Sequence, residues 1–349
     1  MKKFFFLAVA AIVALAACTK NNPDTTANAE RRINFSTVAG PNTKAPISGT
    51  VYKTTDPEFG VFCYALTAGK TWTADSADGQ LYMDDVEISY NSTDKIWEPS
   101  SVYYWPLSGS LTFIAYSPYG CAGTVAYAPA TKALTVTDFT VAEDPDDQED
   151  LMWATTNPDL ADNQSTYTSE SATSTLKGVN EVFHHALSQV KFNVRKAAGL
   201  EDYTLTVTKI EFKAYNKGTL TVTNDSPAWS AQAFLTGGDA FDFDANNTAN
   251  VVAPNHANDY AAFGVANMPV PQTLATGVQT FTVTYSLAKG GVDLGSKTSD
   301  PVDLLGSAVT AWAPNTIYNY NIDIDLKKIY FNPTIVDWTT GSSQQIDVQ

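Results

Sequence analysis

The sequence has few of the residues on which enzyme active sites most often depend. Only three of its 349 residues are histidine and only three are cysteine. It contains no Gly-x-Ser-x-Gly elbow, no His-Glu-x-x-His motif and no glycine-rich phosphate loop. Carboxylates are plentiful, but spacing along a chain cannot place two of them across a sugar bond. The sequence therefore predicts a protein that is not an enzyme and needs no cofactor.

A convergent set of metal ligands is also missing. His184 and His185 are neighbours on a predicted strand, so their side chains point to opposite faces and do not meet at one ion. An EF-hand loop beginning at Asp144 would have Glu149 at its glycine position and Thr155 in place of the bidentate glutamate. We therefore predict no metal site and a solvated acidic loop. That loop contains Glu143, Asp144, Asp146, Asp147, Glu149 and Asp150.

Basic residues are few compared with acidic ones. The chain has 21 lysines and arginines against 37 aspartates and glutamates, which gives a net charge of −16. Such a surface repels phosphate backbones and anionic headgroups, so nucleic acid is not an expected partner.

An uncharged apolar run from Phe4 to Ala17 follows two lysines at the start of the chain. It is shorter than the roughly 20 residues that a membrane-spanning helix needs, so it predicts a secretory signal. The run ends in Leu-Ala-Ala-Cys, a bacterial lipobox, in which the thiol of Cys18 accepts the lipid. We predict a signal over residues 1–18, a lipid anchor at Cys18 and a polar, flexible leash over residues 19–32.

Two cysteines, Cys63 and Cys121, remain after the lipid anchor is counted. An even pair in an oxidising export route could form a disulfide. They could equally be two small buried apolar residues that never meet, because pairing needs Cα atoms within about 7 Å. The sequence leaves both alternatives open.

Apolar and polar residues alternate along much of the chain from Ile33 onward, whereas helical spacing is hard to find. Clear alternation occurs in residues 190–195, 281–287 and 322–327, and predicts half-buried strands. Near Thr208 the apolar positions shift by one residue, which indicates a β-bulge.

Glycine and asparagine mark two predicted hairpin tips. They lie at residues 216–218 and 289–291, where Gly and Asn supply the positive φ that tight turns require. Many short strands joined by regular turns predict an all-β protein built from sandwich domains.

The length of the chain predicts two such domains. Removing residues 1–18 leaves 331 residues, enough for two separate cores. The acidic loop and a Thr/Ser-rich stretch interrupt the strand pattern before Gly178. We therefore predict an N-terminal domain over residues 33–178 and a C-terminal domain over residues 179–349.

Several segments together resemble the fimbrillin family of type V pilin-like proteins. Its members are lipoprotein pilus subunits with two transthyretin-like β-sandwich domains in tandem. The segments that carry the resemblance follow the lipobox in order: Ile33–Ser36, Thr43–Ala45, Tyr104–Pro106, Leu111–Pro118, Asp150–Met152, His185–Phe192 and Trp312–Tyr318.

The resemblance implies a mechanism of assembly. The precursor would be held by lipid at the surface of the outer membrane until a trypsin-like protease cuts after a basic residue that follows the first strand. That strand would depart, and a strand from another pilin subunit would fill the open groove. The assembled pilus would serve adhesion.

Mapped onto this sequence, the departing strand includes Ile33, Phe35 and Val38, and the cut follows Lys44. The family often has arginine where this chain has Lys44, so Arg31 and Arg32 are alternative cleavage sites. A cut after Arg32 would leave the first strand in place and open no groove.

The C-terminal tail is the candidate donor strand, because Ile346 and Val348 alternate with polar residues there. The alternative is that residues 335–348 complete the second sandwich of their own subunit.

A rival function is a monomeric glycan-binding lipoprotein on the outer-membrane surface, since exposed aromatic rings stack on sugars. We expect most of these rings to lie in a core or an interface instead. The rings are Trp72, Trp97, Tyr103, Tyr104, Trp105 and Trp229.

Overall fold

The computed structural model describes residues 31–38, 57–162, 165–167, 176–234, 243–245, 250–326 and 329–337. Its regular structure is almost entirely β, as the alternating pattern predicts. The strands are β1 Phe35–Val38, β2 Phe59–Leu66, β3 Gln80–Asn91, β4 Ile96–Pro99, β5 Ser110–Ser117, β6 Thr124–Ala128, β7 Ala133–Thr140, β8 Met152–Ala154, β9 Asn157–Leu160, β10 Ser165–Tyr167, β11 Leu176–His185, β12 Ser188–Lys196, β13 Tyr203–Phe212, β14 Lys217–Thr223, β15 Ser226–Ala233, β16 Phe243–Asp244, β17 Val251–Val252, β18 Ala261–Asn267, β19 Gln272–Thr273, β20 Thr280–Lys289, β21 Val292–Thr298, β22 Val302–Asp303, β23 Ala311–Trp312, β24 Thr316–Ile324 and β25 Ile329–Asp337.

Helical structure within these ranges is limited to short segments. They are one α-helix, α1 Trp72–Asp75, and two 3₁₀ turns, Ser76–Asp78 and Pro145–Asp147. No helix in the described part of the chain is long and apolar enough to cross a membrane.

Six strands of the first half of the chain, together with β11 just after its midpoint, form a sheet that closes on itself. The hydrogen-bonded order is β1-β4-β3-β2-β5-β8-β11, and β11 pairs in turn with β1. The strands β9 and β10 add to this sheet at β5 and β11. A cluster of buried apolar side chains from these strands and their connections lies against it, including Ile33, Phe35, Phe59, Phe113 and Phe183.

Strands β2 and β5 are buried on both faces, because alternate residues enter two different cores. Phe59, Val61 and Cys63 belong to the cluster around Phe35, whereas Phe62 and Tyr64 belong to a second cluster shared with the other half of the chain. This double burial explains why both strands are nearly continuous apolar runs.

The second half contains two further sheets, with orders β18-β12-β24-β25 and β16-β13-β20-β21. The pairing of β12 with β24 is parallel and runs from Ser188 to Lys196. A bulge shifts the register between Val207 and Lys209, which confirms the irregularity predicted near Thr208.

One of the two predicted hairpins is confirmed and the other is wrong. Gly290 and Gly291 have φ of 59° and 81° and join β20 to the antiparallel β21. Residues 216–218 do not form a hairpin tip, because β13 pairs with β20 whereas β14 pairs with β15 and β7. The turn there moves the chain from one sheet to another.

Strand pairings cross the predicted boundary at Gly178 in both directions. Strand β11, which contains Gly178, belongs to the closed sheet of the first half. Conversely, the β6–β7 hairpin joins β14 and β15 in a four-stranded sheet. These pairings define sheets and not independently folding units, so the division into domains at residue 178 stays a prediction.

Candidate functional site

The most unusual element of the structure is the short strand β1, which fills an interior place in the closed sheet. It pairs in parallel with β11, with Phe35 opposite Val179 and Val38 opposite Val182. On its other side it pairs antiparallel with β4, where Phe35 is opposite Trp97. A four-residue strand near the start of the described chain therefore closes a sheet whose other members come from residues 59–185.

Two side chains anchor this strand in the core. Ile33 is 1% exposed and Phe35 is completely buried. The Phe35 ring packs edge-on against the rings of Phe59 and Phe113, with centroids 5.8 Å and 5.7 Å away. Burial of two such side chains contributes about 1.5–3 kcal/mol each. The place of β1 is thus a deep apolar slot.

Backbone hydrogen bonds extend this anchoring before the strand begins. The amide of Ile33 donates to the carbonyl of Tyr103 (3.0 Å), and the amide of Trp105 donates to the carbonyl of Arg31 (2.9 Å). Arg31 also donates a side-chain hydrogen bond to the Trp105 carbonyl. Arg32 is exposed and forms an antiparallel bridge with Tyr104. Both alternative cleavage sites thus lie before β1, so a cut at either would leave the strand covalently attached to the rest of the subunit.

Gly178 allows β1 to approach β11 closely. A Cβ atom on Gly178 would lie 2.7 Å from the carbonyl carbon of Phe35 and 2.9 Å from the amide nitrogen of Ser36. Next to it, the amide of Val179 donates to the carbonyl of Asn34 (2.8 Å). The absence of a side chain at this position is therefore a requirement of the contact between the two strands.

The wall of the slot also carries a buried acid that the sequence pattern did not predict. Glu181 on β11 is completely buried and pairs in register with Thr37. Its Oε2 accepts a hydrogen bond from Asn157 Nδ2 (3.0 Å), while its Oε1 has no partner. Burial raises the pKa of Glu181 to about 8, and the hydrogen bond from Asn157 only partly offsets this. The available sequence signal was its position midway between Val179 and Phe183, two apolar residues of the same strand face.

Several predicted site residues lie outside the described residues. They are the lipidation site Cys18, the cleavage site Lys44, and the donor-tail residues Ile346 and Val348. Val38 is described through its backbone pairing with Val182.

Cys63 and Cys121 do not form the disulfide that their even number allowed. Both are free and buried, and they belong to different apolar clusters. Burial raises the pKa of the Cys63 thiol, and the nearby Glu181 adds to that increase.

The neighbouring histidines have separate surroundings. His184 stacks on Trp153 and lies 2.9 Å from the Thr155 hydroxyl, and burial lowers its pKa. His185 Nδ1 lies 3.0 Å from both carboxylate oxygens of buried Asp150. Within the described ranges, no group of three or more histidine, cysteine or acidic side chains could hold a metal ion.

The aromatic rings considered for sugar stacking are mostly inside the protein. Tyr103 and Trp229 are half-buried, and the Trp229 indole donates to the Ala186 carbonyl (2.8 Å). Tyr104 is the most accessible of the six, with 41% exposure. Three further rings, each 3% exposed, are Trp72, Trp97 and Trp105. The six rings therefore do not form an open aromatic platform.

Comparison with known proteins shows which solved structures the chain is similar to. No curated protein matches the chain by sequence. Solved structures that match the chain include a provisionally named cell adhesion protein from Bacteroides uniformis, with 17% identity, a TM-score of 0.44, and coverage of 88% of this chain and 98% of that one. A fimbrial assembly protein from Parabacteroides distasonis has 9% identity, a TM-score of 0.35, and coverage of 88% and 95%. A C-terminally truncated tip fimbrial protein from Porphyromonas gingivalis has 10% identity, a TM-score of 0.34, and coverage of 88% and 100%.

The decisive match is to a family and not to a single protein. A family model described as fimbrillin-like matches residues 43–338, which includes every described strand after β1. The match extends over most of the sequence and includes each segment of the resemblance except Ile33–Ser36, which lies before residue 43. The chain belongs to the fimbrillin-like family.

Proposed function

We propose that this protein is a structural subunit of a surface pilus that serves adhesion, and that it polymerises by exchanging β1 for a strand of another subunit. Membership of the fimbrillin-like family supports the pilus role. The observation that carries the exchange is the position of β1 between β4 and β11. Its loss would break both pairings and leave two unpaired strand edges with an apolar slot between them.

Processing in this proposal begins at the membrane. The precursor is exported, acylated at Cys18 and anchored at the outer-membrane surface. A trypsin-like protease then cuts after Lys44, so that residues 18–44, which include the lipidated Cys18 and β1, leave the subunit and Ala45 becomes the new N-terminus. The finished subunit has two tandem transthyretin-like sandwiches, divided near Gly178, and no catalytic site.

The driving force for polymerisation comes from the emptied slot. Without Ile33 and Phe35 the core around Phe59 and Phe113 would be open to water. A strand with alternating apolar side chains restores both the backbone hydrogen bonds and the buried contacts. Ile346 and Val348 of a neighbouring subunit supply that alternation.

Limited trypsin digestion tests this function. We compare the unaltered protein with a Lys44→Gln, Lys53→Gln double variant, which has no basic residue left between β1 and β2, and with Arg32→Gln as a matched control. We sequence the new N-terminus and run gels that preserve SDS-resistant complexes. We expect Ala45 at the new N-terminus and a ladder of oligomers for the unaltered protein and Arg32→Gln, and neither for the double variant. Resistance to cutting at Lys44, or a cleaved protein that stays monomeric, would contradict the proposal. Such a result would favour the monomeric glycan binder, in which β1 is a permanent part of the sheet.

A further inference from the structure

Glu181 is a buried acid with only one of its two carboxyl oxygens hydrogen-bonded to the protein. It is completely buried, and it lies between Val179 and Phe183 on the inner face of β11, since alternate residues of a strand share a face. Asn157 satisfies Oε2, but Oε1 has no hydrogen-bond partner. Buried polar atoms are rarely left in this state, because an unmade hydrogen bond is costly inside a protein.

The position of Glu181 relates this oxygen to the β1 slot. Glu181 and Thr37 are direct partners in the parallel register of β11 and β1. Side chains that are directly opposite on neighbouring strands have Cβ atoms about 5 Å apart. Any strand that replaces β1 therefore presents one side chain to Glu181, from the position that Thr37 occupies now.

We infer that Glu181 selects the incoming strand by requiring an amide side chain at the Thr37 position, and that Gln344 of a second copy of this chain supplies it. The inference rests on the strand exchange proposed above and names the residue pair that sets its register. Gln344, Ile346 and Val348 are alternate residues of the tail, so in an extended strand they share one face.

The three tail residues fit the slot when the donor runs opposite to β1. Ile346 then takes the place of Phe35 on β1, and Val348 takes the place of Ile33, the buried apolar residue two positions before β1. The same register brings Gln344 to Glu181. One polar and two apolar side chains thus match one polar and two apolar positions.

The opposite orientation gives a poor match. A donor that ran in the direction of β1, with Ile346 again in the central site, would place Val348 beside Glu181. It would also put Gln344 in the apolar site of Ile33. Each of these placements buries a polar group without a partner.

An amide suits the carboxyl group in either protonation state. Burial raises the pKa of Glu181 to about 8, so the group is mostly protonated at neutral pH. The amide N–H of Gln344 donates to a carboxyl oxygen, and the amide carbonyl accepts from the carboxylic O–H. After ionisation the N–H donation remains.

Peptide binding during cleavage tests the inference. A fluorescent peptide of residues 339–349 is added while trypsin cuts the full chain, and its affinity is measured by anisotropy. The variants are Gln344→Leu and the matched control Gln345→Leu, whose side chain lies on the other face. We expect Gln344→Leu to bind at least about tenfold more weakly and Gln345→Leu to bind like the unaltered peptide. Equal affinities for the two variants would overturn the inference, and this comparison needs only the unaltered acceptor.

Acceptor variants then assign the effect to Glu181. With Glu181→Gln, which keeps a hydrogen-bonding group, we expect the preference for Gln344 to persist. With Glu181→Leu the preference should disappear or reverse, whereas an undiminished preference would overturn the pairing. If the unaltered peptide fails to bind to cleaved protein at all, strand exchange by this tail is itself contradicted. If it binds without any dependence on Gln344, only the selection by Glu181 fails.

Discussion

At the residue scale, the slot around β1 depends on two positions of β11. Gly178 has no room for a Cβ atom next to the backbone of Phe35 and Ser36. Glu181 places a carboxyl group where an apolar residue would be expected. Gly178 allows the backbones of β1 and β11 to approach each other. Glu181 leaves one carboxyl oxygen, Oε1, without a hydrogen-bond partner beside β1.

Protonation of Glu181 gives a pH dependence of stability. Burial raises its pKa from 4.5 to about 8 in the folded protein, so the folded state holds a proton that the unfolded state has lost over this range. The free energy of unfolding should therefore fall as pH rises from about 4.5 to about 8, by on the order of 5 kcal/mol in the limit. We expect urea unfolding to show this decline in the unaltered protein relative to Glu181→Gln, which cannot titrate. Parallel pH profiles for the two proteins would contradict the assignment.

Substitution of Gly178 tests the close approach of the strands. Gly178→Ala would bring a methyl group within 2.7 Å of the β1 backbone, and an overpacked site of this kind costs about 1–3 kcal/mol. We expect lower stability to urea and faster hydrogen exchange of the Val179 amide, which donates to Asn34. The control is Gly218→Ala, where the nearest neighbour is a Trp229 side-chain atom at 3.1 Å. Unchanged exchange at Val179 would show that the two strands are less tightly packed than these distances indicate.

At the element scale, β1 combines deep burial with little chain of its own. All four of its residues pair with β11, which lies more than 140 residues away, and Phe35 also pairs with Trp97 of β4. Parallel pairing at that separation cannot be closed by a local turn. The strand is therefore held by its buried side chains and by its pairing with β4 and β11. A strand that is held in this way can be replaced by another strand with similar side chains.

The anchoring of β1 predicts a large effect of truncating one ring. Phe35→Ala should lower the free energy of unfolding by about 3–5 kcal/mol, because Phe35 is fully buried against Phe59 and Phe113. Val292→Ala, on a side chain that is 62% exposed, should change it by less than about 0.5 kcal/mol. Chemical denaturation of both variants is the measurement. Similar small changes in both would mean that β1 contributes little to the fold.

Elements with a local signal could be predicted from the sequence, whereas their partners could not. Alternation indicated β12, β20 and β24, and the offset near Thr208 indicated the bulge, because both depend on which residues face the core. The turn at residues 216–218 was misassigned because a turn signal does not reveal that the flanking strands belong to different sheets. Glu181 was missed because an acid is normally expected at the surface.

At the scale of the whole molecule, the two halves of the chain share a sheet and a core. Strand β7 pairs with β14 from Ala133 opposite Thr223 to Thr140 opposite Lys217. The larger apolar cluster combines side chains such as Tyr116 from the first half with others such as Phe192 from the second. A substitution that destabilises one half should therefore also destabilise the other.

Hydrogen exchange of a bridging variant tests this coupling. Leu220 is fully buried on β14 opposite Val136, so Leu220→Ala should cost about 2–5 kcal/mol. We expect amide exchange to accelerate in both β5 and β24, which lie in the first and second halves. Acceleration confined to β24 would indicate that the halves unfold independently.

The most direct test of strand exchange mixes two variants that each lack one half of the mechanism. One ends at residue 338 and can be cleaved but has no tail to donate. The other carries Lys44→Gln and Lys53→Gln, which remove both basic residues between β1 and β2, so it keeps its tail and retains β1. After trypsin treatment, we predict that each variant alone stays monomeric and that the mixture forms an SDS-resistant dimer without a longer ladder. A ladder from the tail-less variant alone, or no dimer in the mixture, would contradict the account in which the tail of one subunit replaces β1 of the next.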